Sequence, residues 1–150
     1  MEVMIVVTII GILGGMARLT FARISLRARG AAYINDCRVF TEAFQRYAIE
    51  RGAYPPDQTR RRTVPPNMAP YLRTTSWLRV TPLGGDYEWD NISARTSLPR
   101  RVNAAVRVNG CTLKLNDLRQ IDRWFDDGNT NTGNIRVTDA GARVFFIIES

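Results

Sequence analysis

From Val3 to Ala17 the chain carries fifteen residues without a charge, and behind them the apolar positions narrow to a stripe. As a helix, that run would span roughly 22 Å, short of a hydrocarbon core of ~30 Å. It lengthens through Leu19 and Phe21 if Arg18 snorkels toward the headgroups. From Leu26 the apolar positions are Leu26, Tyr33, Cys37, Phe40, Phe44 and Tyr47, with Ala31, Ile34, Ala43 and Ala48 beside them. Steps of three, four and seven make one helical stripe, which reads as core packing. The opposite face holds Arg29, Asn35, Asp36, Arg38, Glu42, Gln45, Arg46 and Glu50. Gly52 stops the helix and Pro55-Pro56 forbids its continuation. A single helix from Met1 to about Arg51 would be about 75 Å long. Gly14-Gly15 and Gly30 are candidate soft points in it.

Downstream, the period changes. Tyr54 to Pro70 reads as a surface loop, and Met68 to Leu78 as holding a short helix or turn. "PLGGDYEWDN" (Pro82 to Asn91) reads as a turn and a strand with Tyr87 and Trp89 on one face. "VNAAVRV" (Val102 to Val108) is a second strand, Asn109-Gly110 a hairpin turn, and "CTLKL" its return. Asn116 is placed to cap a helix over Asp117 to Asp126. "NIRVT" and "RVFFIIE", with a turn at Asp139-Ala140-Gly141, form a last hairpin. The expected fold class is α+β. A long N-terminal helix packs its stripe on a small antiparallel sheet of about four strands, with a short inserted helix. Three regions follow: 1–22, the transmembrane or filament-core half of the helix; 23–52, its amphipathic half; and 53–150, the loop and sheet.

Charge and composition remove alternatives. The net charge is +7, and Lys114 is the one lysine among 21 basic residues. The arginines are scattered, and Arg60-Arg61-Arg62 sits beside prolines in a loop. No basic helix with interleaved aromatics appears, so no nucleic-acid partner is expected. The chain has no histidine, which removes the commonest general base and metal ligand. It also lacks a Gly-x-Ser-x-Gly motif and a phosphate loop, and Asp126-Asp127 falls in a turn. An enzyme is not expected.

Two polar features remain open. Within "DDGNTNTGN" (Asp126 to Asn134), Asp127, Asn129 and Asn131 alternate as calcium-loop ligands do. Gly133 stands out of place for an EF-hand, however, and no glutamate closes the loop. The other reading is a plain polar turn. Cys37 and Cys111 either form a disulfide, as an oxidising compartment allows, or remain buried thiols.

Glu2 heads the apolar run, where an ionisable group is costly and reads as functional. A secretory signal would need a basic n-region in front. A buried core helix would rarely be apolar on every side. "EVMIVVTIIGIL" (Glu2 to Leu13) closely resembles the N-terminal segment of type IV pilins and type II secretion pseudopilins, with twelve residues matching in order. Glu2 falls on that family's glutamate and Gly11 on its helix glycine. The resemblance implies that Glu2 senses the N-terminal amine of an adjacent subunit during filament assembly, consistent with the positive end of a helix attracting a carboxylate. Gly11, Gly14 and Gly15 would serve close helix packing. The family carries a basic leader and a cleavage glycine ahead of its glutamate. Here one residue precedes it, so either the true start lies upstream, which is the expectation, or the chain is a degenerate member. Arg18, Arg23, Arg27 and Arg29 follow the span closely, and by the positive-inside rule they oppose a periplasmic domain unless such a leader exists.

The aromatic "GG-x-Y-x-W" strand and the "DDGN…TG" turn resemble pseudopilin-like proteins more loosely; some of these hold calcium in a late loop. The resemblance implies a subunit of a type II secretion pseudopilus or a type IV pilus, stored in the bacterial inner membrane with its globular domain periplasmic. Its partners would be copies of itself, other pilin-like subunits, an inner-membrane assembly platform and, given a leader, a prepilin peptidase, whose cut exposes a residue that becomes methylated. The alternative is a single-span, membrane-anchored periplasmic binding domain that does not polymerise.

Overall fold

A computed structural model describes residues 2–58, 60–91, 102–138 and 141–149; for residues 2 and 13–19 only the backbone is described. The elements in order are α1 (Glu2–Arg51), α2 (Thr74–Leu78), β1 (Asp86–Asn91), β2 (Ala104–Asn109), α3 (Leu115–Phe125), β3 (Ile135–Thr138) and β4 (Arg143–Glu149). The strands form one antiparallel sheet in the order β1-β2-β4-β3. This is the long helix on a four-stranded sheet that the periodicity predicts.

The α1 stripe supplies the cover for the sheet. Tyr33, Cys37, Phe40, Phe44 and Tyr47 are buried with Tyr87, Trp89, Val106, Val108 and Val144. Strand alternation explains the choice, because Trp89 lies opposite Val106 and Tyr87 opposite Val108, all on one face. Aromatic rings carry much of the contact. Phe44 stacks on Trp89 at 3.8 Å between centroids, and Phe40 meets Trp77 and Tyr87 edge-on at 4.9 Å. Such pairs add about 0.5–1.5 kcal/mol each beyond area burial. The other face of the sheet buries a smaller cluster of Val102, Ala105, Phe145 and Ile147.

α1 ends as expected. Gly52 takes φ +74°, and its N–H donates to the Ala48 carbonyl at 2.8 Å. Gly30 is not a soft point. It is buried, and a Cβ there would stand 3.0 Å from the Phe125 ring and 3.1 Å from Ile121. The missing side chain lets α3 lie against α1.

Three other expectations change. Cys111 to Lys114 is not a returning strand. β2 is paired by β1 on one edge and β4 on the other, which leaves no place for a third partner. The Gly110 and Cys111 N–H groups instead donate to the Ala142 carbonyl, steering the chain into α3. Asn116 does not cap α3. The N-cap is Lys114, whose carbonyl accepts from Asp117 and Leu118, so the helix starts earlier. Asp36, assigned to the solvent face, is only 7% exposed. The Tyr87 hydroxyl donates to its Oδ2 at 2.7 Å, and Arg79 closes over it as an ion pair. β3 and β4 pair as the expected hairpin; positions 139 and 140 of its turn lie outside the described residues.

Candidate functional site

Two regions have chemistry that the core does not use: the first half of α1 and the loop between α3 and β3. Along α1, Val3, Met4, Ile5, Val6, Val7, Ile9, Ile10, Ile12, Phe21 and Ile24 are each more than half exposed. Fully burying ten such side chains is worth about 15–30 kcal/mol as an upper bound. A patch of this size marks an interaction surface. The hydroxyl in the first turns of this run is already satisfied: Thr8 Oγ1 donates to the Met4 carbonyl at 2.7 Å. Beyond its first turn, the segment therefore needs no water for its backbone or for Thr8. Gly11 faces open space, with nothing within 4 Å of where its Cβ would be, and leaves a notch for a second helix. The side chain of Glu2 and the surroundings of Gly14 and Gly15 lie outside the described residues. Among the described residues, no helix is long and apolar enough to cross a membrane.

Below the apolar run, a groove between α1 and α3 is lined by Arg23, Ile24, Arg27, Gln120, Arg123 and Trp124. The Arg27 guanidinium sits over the Trp124 ring at 6.0 Å. These arginines keep the transition from apolar helix to folded domain strongly basic.

The loop after α3 holds the predicted calcium ligands, yet it uses their side chains differently. Asp127 Oδ1 accepts from the Asn129 N–H at 2.8 Å, and its Oδ2 accepts from Thr132 Oγ1 at 2.6 Å. Asn129 Oδ1 accepts from the Asn131 N–H at 3.2 Å. The alternating Asp and Asn pattern is thus a chain of side-chain-to-backbone turns. Thr132 and then the Asn129 N–H hold the Asp127 carboxyl below its ordinary range. Asp126 Oδ2 accepts from the Ile135 N–H at 2.7 Å and so ties the end of α3 to the start of β3. Gly133 permits that tie, since a Cβ there would collide with Asp126 Oδ2.

What the loop brings together is a different set. Carboxylate oxygens of Asp122, Asp126 and Asp127 all lie within 4.8 Å of one another. Of the three, only Asp127 belongs to the set expected from spacing. Asp122 is 0% exposed, and both its oxygens lack a hydrogen bond of ordinary geometry among the described residues. The Gly128 amide beside it eases the charge slightly without meeting that geometry. Burial first, and then Asp126 and Asp127, push the Asp122 carboxyl up to about 6. Asp122 escaped the spacing argument because it lies inside α3, not in the loop. The signal was its i, i+4 relation to Asp126, which puts both on one helix face.

Cys37 is buried and Cys111 half-buried, and both are free thiols in this structure. Burial raises the Cys37 thiol well above its ordinary range. The Cys111 thiol donates to the Leu83 carbonyl at 3.4 Å. Burial first, and then the nearby Cys37, Tyr87 and Cys111, raise the pKa of the Tyr33 hydroxyl.

The fold that carries these surfaces is a pilin-like α+β fold. Among solved structures, the chain is similar to the major type IV pilin PilA1 from Clostridium difficile, with a TM-score of 0.56 and 13% sequence identity. The match covers 83% of this chain and 97% of that one. At that identity the likeness is one of fold. No family model and no curated protein matches the sequence.

Proposed function

We propose that the chain is a structural subunit of a helical filament, either a type IV pilus or a type II secretion pseudopilus. The observation that carries this reading is the first half of α1, a rod of exposed apolar side chains that nothing among the described residues covers. The folded domain sits on the other half of the same helix, so α1 joins it rigidly to that rod. Copies packed through α1 would bury the rod at the filament axis and leave the domains outside. Before assembly, the inner membrane would hold the same segment, with the domain periplasmic. Glu2 would then pair with the N-terminal amine of the adjacent copy, a charge-assisted contact strengthened by the helix dipole. The partners are copies of this chain, other pilin-like subunits, an inner-membrane assembly platform and, if a leader lies upstream, a prepilin peptidase. The work of such a protein is mechanical rather than catalytic.

The test is Glu2→Ala expressed in place of the native chain. Loss of the variant from filaments, with normal amounts of folded protein in the envelope, is the expected result. Incorporation equal to that of the native chain would remove the role given to Glu2.

A further inference from the structure

We infer that the groove between α1 and α3 binds the phosphate headgroup of an anionic membrane lipid. The inference rests on the reading that a membrane holds the apolar half of α1 before assembly. The groove is lined by Arg23, Ile24 and Arg27 from α1 and by Gln120, Arg123 and Trp124 from α3, and holds about 570 Å³. That volume falls within the ~300–1,000 Å³ of ordinary ligand pockets and leaves room for a phosphate with its glycerol. Three guanidinium groups bring N–H donors and no acceptor, the donor set that phosphate oxygens take.

These charges lack a counterion within the fold. Among the described residues, Arg23, Arg27 and Arg123 form no ion pair. Elsewhere the arginines do find carboxylates: Arg62 pairs with Asp86, Arg79 with Asp36 and Arg107 with Glu88. Asp117 shares the adjoining surface with Arg23 and Arg29, yet pairs with neither. Arg27 instead sits over the Trp124 ring at 6.0 Å, which holds its guanidinium at the groove while its N–H groups stay available. Three like charges around one groove repel, and an anion placed among them relieves that repulsion.

Position selects a lipid as the source of the phosphate. The exposed apolar side chains of α1 run from Val3 to Ile24. That is a rise of roughly 32 Å, comparable with a ~30 Å hydrocarbon core. Ile24 ends this surface and is itself a wall of the groove. With the apolar surface in lipid, the groove stands at headgroup depth, where tryptophan is favoured and arginine meets phosphate. At its far end the groove is closed where α3 meets Gly30. A lipid held there would keep the folded domain against the membrane surface. It would be left behind when the apolar run is drawn into a filament.

The experiment reconstitutes the full chain into phosphatidylcholine vesicles near pH 7 at low salt. Tryptophan quenching is compared for phosphatidylglycerol and phosphatidylcholine that carry a nitroxide high on one acyl chain. Trp77 and Trp89 are 1% and 0% exposed, so Trp124 is the reporter. Phosphatidylglycerol should be selected at least about tenfold, and Arg123→Gln or Arg23→Gln, both exposed positions, should each lower the selection about fivefold. Arg73→Gln removes the same charge beside α2, which packs at Phe40 about 20 Å farther along α1, and should change nothing. Equal quenching by the two lipids, in a chain that enters the vesicles, would overturn the site and leave the membrane reading standing. A chain that does not enter the vesicles would lose both. Selection abolished by a few millimolar inorganic phosphate at constant ionic strength would assign the groove to the free ion and overturn the lipid. An Arg123→Gln chain that keeps its lipid selection but drops out of filaments would assign the groove to a neighbouring copy instead.

Discussion

Replacing Gly30 by valine should pry α3 away from α1. A Cβ at that position would stand 3.0 Å from a Phe125 ring carbon and 3.1 and 3.2 Å from two Ile121 carbons. Relaxed carbon contacts lie at about 3.5–4.0 Å, so even the first added atom is too close. Valine adds two methyl groups beyond it. Ile121 is 1% exposed and cannot turn outward freely, so the clash must move the helix. Overpacking of this kind costs about 1–3 kcal/mol. Losing a helical glycine returns ~0.4 kcal/mol, leaving a net loss of about 0.6–2.6 kcal/mol. Urea unfolding followed by tryptophan fluorescence should show it, since Trp124 lies on α3. At a slope of ~2 kcal/mol per molar, the midpoint falls by about 0.3–1.3 M. Gly11→Val is the control: it is in the same helix with nothing within 4 Å, and should stay within about 0.5 kcal/mol of the native chain. Equal midpoints for the two variants would refute the claim that Gly30 is a contact point.

Two further predictions concern carboxylates that are buried or partly buried. Asp36→Ala leaves the Tyr87 hydroxyl, on a residue 1% exposed, without its acceptor, and should cost about 1–3 kcal/mol. Asp36→Asn keeps an acceptor and should recover much of that, because the half-exposed Arg79 pair contributes less; equal losses in denaturant unfolding would contradict the assignment. Asp90 is pushed up to about 6 by burial, with Arg107 opposing the shift and Asp57 and Glu88 adding to it. A carboxyl raised in the folded state stabilises the fold most when protonated, so its contribution fades as pH rises from about 4 to about 6. Asp90→Asn should flatten that part of the stability profile, and an unchanged slope between those pH values would contradict it.

Much of the fold could be read from the sequence because its periodicities are long and clean. Leu26 to Tyr47 holds one stripe over several turns, and Tyr87 and Trp89 alternate as a half-buried strand must. The failures were nonlocal. Asn109-Gly110 has local hairpin chemistry, but only the sheet order shows that both edges of β2 are taken. Gly30 looks like a helix weakness until α3 is seen lying against it. Asp36 reads as solvent-facing because its partners, Arg79 and Tyr87, are more than forty residues away. The acidic site was half legible. The loop drew attention through its Asp and Asn spacing, which turned out to build turns, while the buried member sat one helical turn upstream. The apolar rod was legible throughout, being a property of composition and needing no tertiary contact.

The central claim is that the exposed half of α1 is buried by other copies in a filament. Its most direct test is to shear filaments from cells that make the chain, or that overproduce it, and probe the pelleted fibres for it. The account predicts the native chain in the filament fraction, at contacts that crosslink through cysteines placed in the apolar run, such as Val6→Cys. Filaments that form without the chain, while it stays entirely in the membrane, would contradict the account and favour an anchored binding domain that never polymerises.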